Sequence, residues 1–250
     1  MTLTVHQFPV LQDNYAYLVR DEASGQVATI DSPDGAAILA EAQKLGWPIH
    51  YVLNTHWHPD HAGGNAAIAA ATGARLIGPA EVRDHFPLDE LATAGSFVQL
   101  GQSRFEILDT GGHTAGHISY YAKSDALAFV GDTLFVMGCG RMFEGTPPQF
   151  WASLSRLAAL PDETRVYCAH EYSAANARFA LSVDDSPATR ARAEAIFAQR
   201  AAGQPTVPSL IREEKATNPF LRAPILGGLS GESPDAAFAR MRLAKDQFQG

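Results

Sequence analysis

Hydrophobic and polar residues alternate with a period of two over the first thirty residues of the chain. Segments 14–19 and 26–30 combine this alternation with β-branched and aromatic side chains, which predicts strands joined by turns. Residues 34–45 carry their apolar side chains at helical spacing, and residues 49–53 form a short apolar run. We therefore expect a sheet at the start of the chain, with one strand ending directly before Asn54.

Strand and helix patterns continue to alternate as far as residue 170. The alanine-rich segment 65–71 predicts a helix that ends at Gly73, and 147–160 predicts another. The segments that predict further strands are 75–77, 96–100, 105–108, 118–122, 127–130 and 165–168. Strands in runs with helices between them predict an α/β (α+β) fold, with two mixed sheets covered by helices on their outer faces.

The pattern changes at about residue 171. Helical spacing is found in 174–181, 187–202 and 234–248, and we find no plausible strand run beyond residue 171. The sequence thus predicts a catalytic domain over 1–170 and a helical C-terminal domain over 171–250.

Composition and charge narrow the classes of function. The chain is 46% hydrophobic and 18% charged, as in ordinary globular proteins, and its net charge of −8 disfavours a broad nucleic-acid or anionic-membrane surface. Its two cysteines form no Cys-x-x-Cys pair, and neither a signal peptide nor an apolar run of about 18 residues is evident. We expect a cytoplasmic protein with no nucleic-acid or membrane partner, and we expect it to be a monomer.

Three imidazoles and a carboxylate lie within six consecutive residues, directly after the strand predicted over 49–53. His56 and His58 are two residues apart, so their rings point to one side of an extended segment and can share a metal. Asp60 and His61 follow the turn at Pro59, near the start of a helix, and are better placed for a neighbouring position. The spacing therefore suggests two metals.

Three further candidate ligands each follow a predicted strand. His113 lies in a glycine-rich segment, where the backbone can turn sharply. Asp132 follows an apolar strand directly, and His170 follows the strand predicted over 165–168. Each signal is weak alone, but together with the histidine cluster they indicate a metal site.

These residues carry a resemblance to the metallo-β-lactamase superfamily, whose motif is His-x-His-x-Asp-His followed by a separate His, an Asp and a final His. The seven matching residues are His56, His58, Asp60, His61, His113, Asp132 and His170. Within that superfamily the chain resembles the glyoxalase II (hydroxyacylglutathione hydrolase) family over essentially its whole length. The further segments that match that family are 131–135, 138–141, 143–146, 168–172, 218–220 and 245–248.

The resemblance implies an αββα sandwich followed by a helical substrate-binding domain. It assigns His56, His58 and His113 to one divalent metal and Asp60, His61 and His170 to the other, with Asp132 bridging them. Zinc is the metal we expect first, with iron or manganese as alternatives, because sites of nitrogen and oxygen ligands bind several divalent ions.

The implied reaction is hydrolysis of an S-(2-hydroxyacyl)glutathione, such as S-D-lactoylglutathione, to glutathione and a 2-hydroxy acid. The expected nucleophile is a hydroxide shared by the two metals, with Asp60 and Asp132 as the catalytic carboxylates. A thiolate whose parent thiol has a pKa of about 8.5 leaves without a strong general acid.

The resemblance also assigns glutathione contacts to Arg141, Phe143, Tyr172, Arg242 and Lys245. The chain departs from the family at two of them. Phe143 stands where many relatives have tyrosine, so that one hydroxyl contact is lost, and Arg141 stands where lysine is common. Outside the ligand set, we expect His117 to orient the loop by hydrogen bonding and His85 to lie on the surface.

Other functions fit parts of the pattern. A persulfide dioxygenase would use one iron held by His56, His113 and Asp132, but the basic C-terminal segment argues against it. A β-lactamase is disfavoured by the bridging aspartate position and by the absence of an export signal. A non-catalytic metal-binding protein is disfavoured by the complete set of seven ligands.

Overall fold

A computed structural model describes residues 2–227 and 231–250. The chain folds as two compact units, of which unit 1 contains Met1–Asp109 and Thr114–Gly131, and unit 2 contains Thr110–His113 and Asp132–Gly250. These units are defined by their compactness. The boundary predicted at residue 170 rests instead on the change from mixed strands and helices to helices alone, and it stays a prediction.

Unit 1 alternates strands with short helices before it ends in a run of strands. Its elements, in chain order, are β1 (Leu3–Val10), β2 (Asn14–Asp21), β3 (Val27–Ile30), α1 (Gly35–Leu45), β4 (Ile49–Leu53), α2 (Pro59–Ala62), α3 (Asn65–Thr72), β5 (Arg75–Gly78), α4 (Ala80–Arg83), β6 (Glu90–Leu91), β7 (Phe97–Leu100), β8 (Ser103–Asp109), β9 (Ile118–Ala122) and β10 (Leu127–Gly131), with a 3₁₀ turn at Lys123–Asp125.

The first sheet of unit 1 has the order β1-β2-β3-β4-β5-β6. Strands β1, β2 and β3 pair antiparallel, whereas β3, β4, β5 and β6 pair parallel. The side chains of Leu18, Ile38, Val52, Ile68 and Leu76 belong to one buried cluster that joins this sheet to α1 and α3. Because β3 and β4 are parallel neighbours, the residues that follow them emerge at the same edge of the sheet.

The second layer of unit 1 is an antiparallel meander of β7, β8, β9 and β10. It packs face to face on the first sheet, with the rings of Tyr17 and Phe129 5.5 Å apart. The Tyr120 hydroxyl crosses between the layers and donates to the carbonyl oxygen of Asn54 at 2.9 Å. The predicted sandwich of mixed sheets with helices outside is therefore confirmed.

Unit 2 is mainly helical. Its elements are β11 (Leu134–Phe135), β12 (Gly138–Cys139), α5 (Pro147–Ala158), β13 (Arg165–Cys168), α6 (Ser173–Val183), α7 (Pro187–Ala201), β14 (Ser209–Leu210), α8 (Ile211–Thr217), α9 (Ala223–Leu226) and α10 (Pro234–Gln247). Its core is aromatic: the ring centroids of Phe150 and Phe238 are 5.4 Å apart, those of Phe220 and Phe238 6.4 Å, and those of Phe179 and Phe220 5.8 Å. These four rings join α5, α6 and α10 to the segment that follows α8.

The helices predicted over 174–181, 187–202 and 234–248 are confirmed as α6, α7 and α10. The expectation that no strand follows residue 171 is wrong, because β14 pairs antiparallel with β13, with Leu210 opposite Arg165. Two residues are too few to show a period, so the hydrophobic pattern could not reveal this strand. Among the described residues, no helix is long and apolar enough to cross a membrane.

The segments that begin helices α1 and α3 lie close together because both have glycine, Gly35 and Gly64, at the point of contact. A Cβ atom added to Gly64 would lie 2.6 Å from the carbonyl oxygen of Ser32 and 2.7 Å from the amide nitrogen of Gly35. Both neighbours are backbone atoms, which cannot move aside as a flexible side chain could. Gly64 also donates its own amide to Ser32 at 2.8 Å, so this contact holds the two segments together.

We expect Gly64→Ala to lower the free energy of unfolding by about 3 kcal/mol, the upper end of the cost of overpacking. Gly46→Ala is the control, because its added Cβ meets nothing within 4 Å and only the positive φ of 66° is strained, at a cost of about 1–2 kcal/mol. Urea denaturation of both variants measures the difference. A loss at Gly64 no larger than that at Gly46 would contradict the close-packing explanation.

Candidate metal centre and substrate pocket

The loop after β4 brings two imidazoles together, as predicted from their spacing. His56 Nε2 and His58 Nδ1 lie 3.0 Å apart, and the ring centroids are 4.7 Å apart. His56 is completely buried, whereas His58 is partly exposed. Two ring nitrogens at this separation on one side of a loop can be ligands of the same metal ion.

Asp60 and His61 lie on α2, the short helix that Pro59 begins, so their predicted position near the start of a helix is confirmed. His61 Nε2 is 3.5 Å from the Asp60 carboxylate, and the ring of His61 lies 3.9 Å from that of His56. Asn14 on β2 donates from its side-chain amide to Asp60 Oδ2 at 3.0 Å. All four candidate ligands of unit 1 therefore belong to one cluster.

A buried carboxylate that the sequence analysis missed orients this cluster. Asp31 follows β3 and accepts hydrogen bonds from the Thr55 amide at 2.7 Å, the Thr55 hydroxyl at 2.9 Å and His61 Nδ1 at 2.8 Å. The Thr55 hydroxyl has one proton, which it donates to Asp31, so its oxygen accepts from His56 Nδ1 at 3.0 Å. His56 and His61 thus carry their protons on Nδ1, and Nε2 is the ligand atom of each.

Asp31 gave only a weak signal in the sequence. A single aspartate after a strand is usually a turn residue, and its positive φ of 57° fits that interpretation. Its role depends on the parallel pairing of β3 and β4, which puts Ile30 opposite Leu53 and so brings Asp31 beside Thr55. That pairing is not evident from either segment alone.

The two remaining histidines of interest in unit 1 lie next to the cluster. His117 is buried and its ring stacks on His56, with centroids 4.9 Å apart; its expected role in orienting the loop stays a prediction. His85 is exposed and stacks on Trp57 at 4.2 Å, so its predicted surface position is confirmed.

Unit 2 holds the other three candidate ligands. Asp132 directly follows β10 and is only 7% exposed; its Oδ2 lies 3.4 Å from His113 Nε2 and its Oδ1 lies 3.3 Å from His170 Nε2. One carboxylate thus presents a separate oxygen to each of two imidazoles. That arrangement is suited to a carboxylate shared between two cations.

The backbone of the neighbouring turn fixes the His113 ring. His113 Nδ1 donates to the carbonyl oxygen of Arg141 at 2.8 Å. A carbonyl oxygen only accepts, so the proton is on Nδ1, and Nε2 is the nitrogen that faces Asp132. The chain packs closely at this point, because a Cβ atom on Gly140 would lie 2.0 Å from the carbonyl oxygen of Asp132 and 3.0 Å from His113 Nδ1.

The five predicted substrate contacts all line one pocket of unit 2. Its volume is about 510 Å³, and its lining residues include His113, Asp132, Cys139, Arg141, Phe143, Tyr172, Arg242 and Lys245. The ring of Tyr172 stacks on His170 with centroids 4.8 Å apart, and Phe143 is 61% exposed. The structure therefore brings these five residues together, while their role in binding substrate stays a prediction.

The charged side chains that line this pocket are three basic ones, Arg141, Arg242 and Lys245, and two acidic ones, Asp132 and Asp246. The Lys245 amine donates to the carbonyl oxygen of Ala175 at 3.1 Å and lies 5.4 Å from the ring centroids of Phe179 and Phe248. Burial lowers the pKa of Lys245, and the nearby charges of Arg242 and Arg178 lower it further.

Cys139 also lines the pocket, but it is not suited to act as a nucleophile. Burial raises the pKa of its thiol to about 11, although the nearby charge of Arg242 opposes the shift. The sulfur therefore stays protonated at neutral pH, and a protonated thiol is a poor nucleophile. The groups suited to chemistry in this pocket are the His113 imidazole and the Asp132 carboxylate.

Sequence comparison relates both parts of the chain to known families. The model of the metallo-β-lactamase superfamily matches residues 13–170, and the model of the hydroxyacylglutathione hydrolase C-terminus matches residues 171–248. The hydroxyacylglutathione hydrolase of Erythrobacter litoralis is 50% identical over 250 residues, covering 98% of this chain and 100% of that protein. That of Maricaulis maris is 50% identical over 253 residues, covering 98% and 99%.

Solved structures share the fold. The crystal structure of ETHE1 from Myxococcus xanthus superposes with a TM-score of 0.71 at 28% identity, covering 95% of this chain and 89% of that one. The crystal structure of TTHA1623 in a di-iron-bound form has a TM-score of 0.63 at 26% identity, covering 87% of this chain and 100% of that one.

We expect Asp31→Asn to weaken metal binding by about 10–100-fold, because the amide no longer offers two acceptor oxygens to Thr55 and His61. Asparagine tolerates the left-handed backbone at this position, so the substitution adds little backbone strain. Competition with a chromophoric chelator measures the affinity, and ¹⁵N NMR of the metal-free protein reports the His61 tautomer.

The matched control is Asp34→Asn, which changes the N-cap residue of α1. Asparagine caps helices as well as aspartate does, so the metal affinity of this variant should equal that of the wild type. Unchanged affinity and an unchanged His61 tautomer in Asp31→Asn would show that Asp31 does not orient the ring.

Proposed function

The chain belongs to the metallo-β-lactamase superfamily and, within it, to the hydroxyacylglutathione hydrolases, and we propose which of its residues bind the metal ions and which bind the substrate. The protein is an enzyme that binds divalent metal and hydrolyses glutathione thioesters. Our proposal is that seven residues hold two metal ions, and that the pocket of unit 2 binds the glutathione part of the substrate.

The proposed ligands are those of the superfamily motif. His56, His58 and His113 are assigned to one ion, Asp60, His61 and His170 to the other, and Asp132 to both. The donor set supports this assignment, because three of the imidazoles have Nδ1 hydrogen-bonded to an oxygen and offer Nε2 as the ligand atom. The di-iron form of TTHA1623 supports a count of two ions.

Zinc is the metal we propose, with iron or manganese as alternatives for the same nitrogen and oxygen ligands. When bound, divalent ions lower the pKa of water towards neutrality and polarise a carbonyl group.

The protein's own groups hold the reacting carboxylates and rings in place. Asn14 keeps the Asp60 carboxylate in one rotamer through its hydrogen bond to Oδ2, and Asp132 is held between His113 and His170. Thioester hydrolysis expels a thiolate whose parent thiol has a pKa of about 8.5, so no strong general acid is required. The protonated Cys139 thiol takes no part in this chemistry.

The pocket of unit 2 suits a peptide with two carboxylates. Arg141, Arg242 and Lys245 supply positive charge there, and a charge-assisted hydrogen bond is stronger than a neutral one. Lys245 uses one of its three N–H donors on Ala175. At the exposed rim, Phe143 offers an apolar ring edge-on to His113, with centroids 5.3 Å apart, where a tyrosine would add a hydroxyl. The cytoplasmic location and the monomeric state stay predictions.

The single observation that carries this proposal is that the two oxygens of the Asp132 carboxylate face two different imidazoles, those of His113 and His170. We expect metal-replete protein to release thiol rapidly from S-D-lactoylglutathione, and chelation to abolish the release. Asp132→Ala should bind less than one ion per chain by elemental analysis and should reduce hydrolysis to near background.

Asp185→Ala, which removes an exposed carboxylate, is the control and should keep both the metal and the activity. Wild-type turnover by Asp132→Ala with two ions bound would disprove the shared-ligand assignment. No release of thiol by fully metallated wild-type protein would contradict the activity itself.

We expect Lys245→Met to raise KM for the glutathione thioester by about 10- to 100-fold, which corresponds to the loss of one hydrogen bond to a charged group. The KM for a small thioester without the peptide should stay the same. Lys215→Met, which removes an exposed lysine paired with Asp162, is the control. Equal effects on both substrates would show that Lys245 does not bind glutathione.

The same contact predicts a pH dependence. Burial and the neighbouring arginines lower the pKa of Lys245 below its ordinary value. The amine therefore loses its positive charge at a lower pH than an exposed lysine does. The KM for the glutathione thioester should therefore rise with pH through that pKa. In Lys245→Met this rise should be absent, and its persistence there would point to another group.

A further inference from the structure

The Lys245 amine is held at one place in the pocket of unit 2. A lysine amine ends a chain of four methylene groups, and Lys245 lies in the last turn of α10, so its charge could occupy many positions. It donates instead to the carbonyl oxygen of Ala175 at 3.1 Å, and it lies 5.4 Å from the ring centroids of both Phe179 and Phe248. These contacts, and not the helix, therefore decide where the charge lies.

The surroundings of this amine oppose a positive charge. Burial removes water from it, and the like charges of Arg242 and Arg178 repel it; both effects lower the pKa of Lys245. The charge of Arg141 acts in the same direction, and that of Asp246 acts against it. A flexible ammonium group with these neighbours gains hydration by turning towards the solvent, so other contacts must hold it at the pocket.

Phe248 is suited to hold the amine because of the way α10 ends. The helix ends at Gln247, and the Phe248 amide donates to the carbonyl oxygen of Lys245 at 3.2 Å. The Phe248 ring lies edge-on to that of Phe179 on α6, with centroids 5.5 Å apart. Both centroids lie within about 6 Å of the amine, the distance over which an aromatic face attracts a cation. Phe179 and Phe248 thus form an aromatic clamp around the Lys245 amine.

The two rings of the aromatic clamp are anchored differently. Phe179 is 1% exposed and belongs to the aromatic core, where its ring packs on that of Phe220. Phe248 is partly exposed and lines the pocket, as Lys245 does. A change at Phe179 would therefore disturb the core, whereas a change at Phe248 removes one side of the clamp and leaves the core in place.

We infer that Phe248 is a positioning residue for substrate binding, which together with Phe179 holds the Lys245 amine at the pocket. This inference rests on the proposed function, in which Lys245 binds a carboxylate of glutathione. The clamp fixes the long side chain before the substrate arrives, so less side-chain entropy is lost on binding. A phenylalanine ring has no N–H or O–H to donate to a carboxylate, so Phe248 acts through Lys245.

The first test measures KM and kcat on two thioesters, one containing glutathione and one small. We expect Phe248→Leu, which keeps an apolar side chain but no ring, to raise KM for the glutathione thioester by about 3- to 10-fold, the cost of immobilising one long side chain. The kcat on that substrate should stay the same, as should both constants for the small thioester. Phe248→Tyr keeps the ring and should retain the wild-type KM.

The matched control is Phe97→Leu. Phe97 on β7 of unit 1 is also a solvent-accessible ring beside a cation: it is 50% exposed, and the guanidinium of Arg104 lies 4.0 Å from its centroid. Both KM values of this variant should equal those of the wild type. A rise in KM as large as that in Phe248→Leu would overturn the inference.

A double-mutant cycle separates positioning from direct contact with the substrate. If Phe248 acts through Lys245, Phe248→Leu should have no further effect on KM once Lys245→Met is present. An undiminished rise in KM in that background would show that Phe248 contacts the substrate directly, and it would overturn the inference. An unchanged KM in Phe248→Leu alone would do the same.

A spectroscopic measurement depends on neither metal nor activity. Aromatic rings shift the ¹H resonances of groups beside them, so the methylene group next to the Lys245 amine should resonate apart from those of exposed lysines in metal-free protein without substrate. Phe248→Leu should move that resonance towards those of the exposed lysines, and Phe248→Tyr should not. Thermal unfolding checks that each variant is folded. If Phe248→Leu does not fold, Phe248→Met replaces it in every measurement.

The proposed function and this inference fail in different ways. If the wild-type protein hydrolysed neither thioester, the proposed function would fail, and the Lys245 resonance would still decide whether Phe248 holds the amine. An unmoved resonance in Phe248→Leu, with normal hydrolysis by the wild type, would overturn the inference and leave the proposed function intact.

Discussion

One buried carboxylate, that of Asp31, orients the histidine cluster of unit 1. Its Oδ2 accepts hydrogen bonds from His61 Nδ1 and from the Thr55 hydroxyl. That hydroxyl in turn accepts a hydrogen bond from His56 Nδ1. An imidazole whose Nδ1 donates to oxygen has only Nε2 left to offer a metal. Unit 2 applies the same constraint by other means, because there the acceptor for His113 is the backbone carbonyl of Arg141.

Packing supplies the rigidity that these hydrogen bonds require. In unit 1 the parallel pairing of β3 and β4 brings Asp31 beside Thr55, and the second sheet covers the first through contacts such as that between Tyr17 and Phe129. In unit 2 an aromatic core that includes Phe220 and Phe238 supports α10. A ligand fixed by packed neighbours loses less conformational entropy when it binds metal than a mobile one does.

Two basic side chains of α10 line the pocket of unit 2, and they have different partners within the protein. Lys245 is held by one carbonyl and two aromatic rings and retains donors for a carboxylate, whereas the guanidinium of Arg242 is buried between Cys139 and Asp246. The Nε of Arg242 has no hydrogen-bond partner among the described residues, so both side chains keep N–H donors that the protein does not use.

The sequence by itself determined the metal chemistry, the family and most of the helices and strands. The histidine cluster and the segments around Asp132 and His170 depend on residue type and spacing, which are local properties and can be recognised in the chain. Tertiary structure alone decided that Asp31 orients His61, that Arg242 holds the Cys139 carbonyl, and that Ser209–Leu210 forms a strand. Each of these depends on the pairing of segments distant in sequence. The pattern of residue types along the chain does not show which distant atom a side chain will contact.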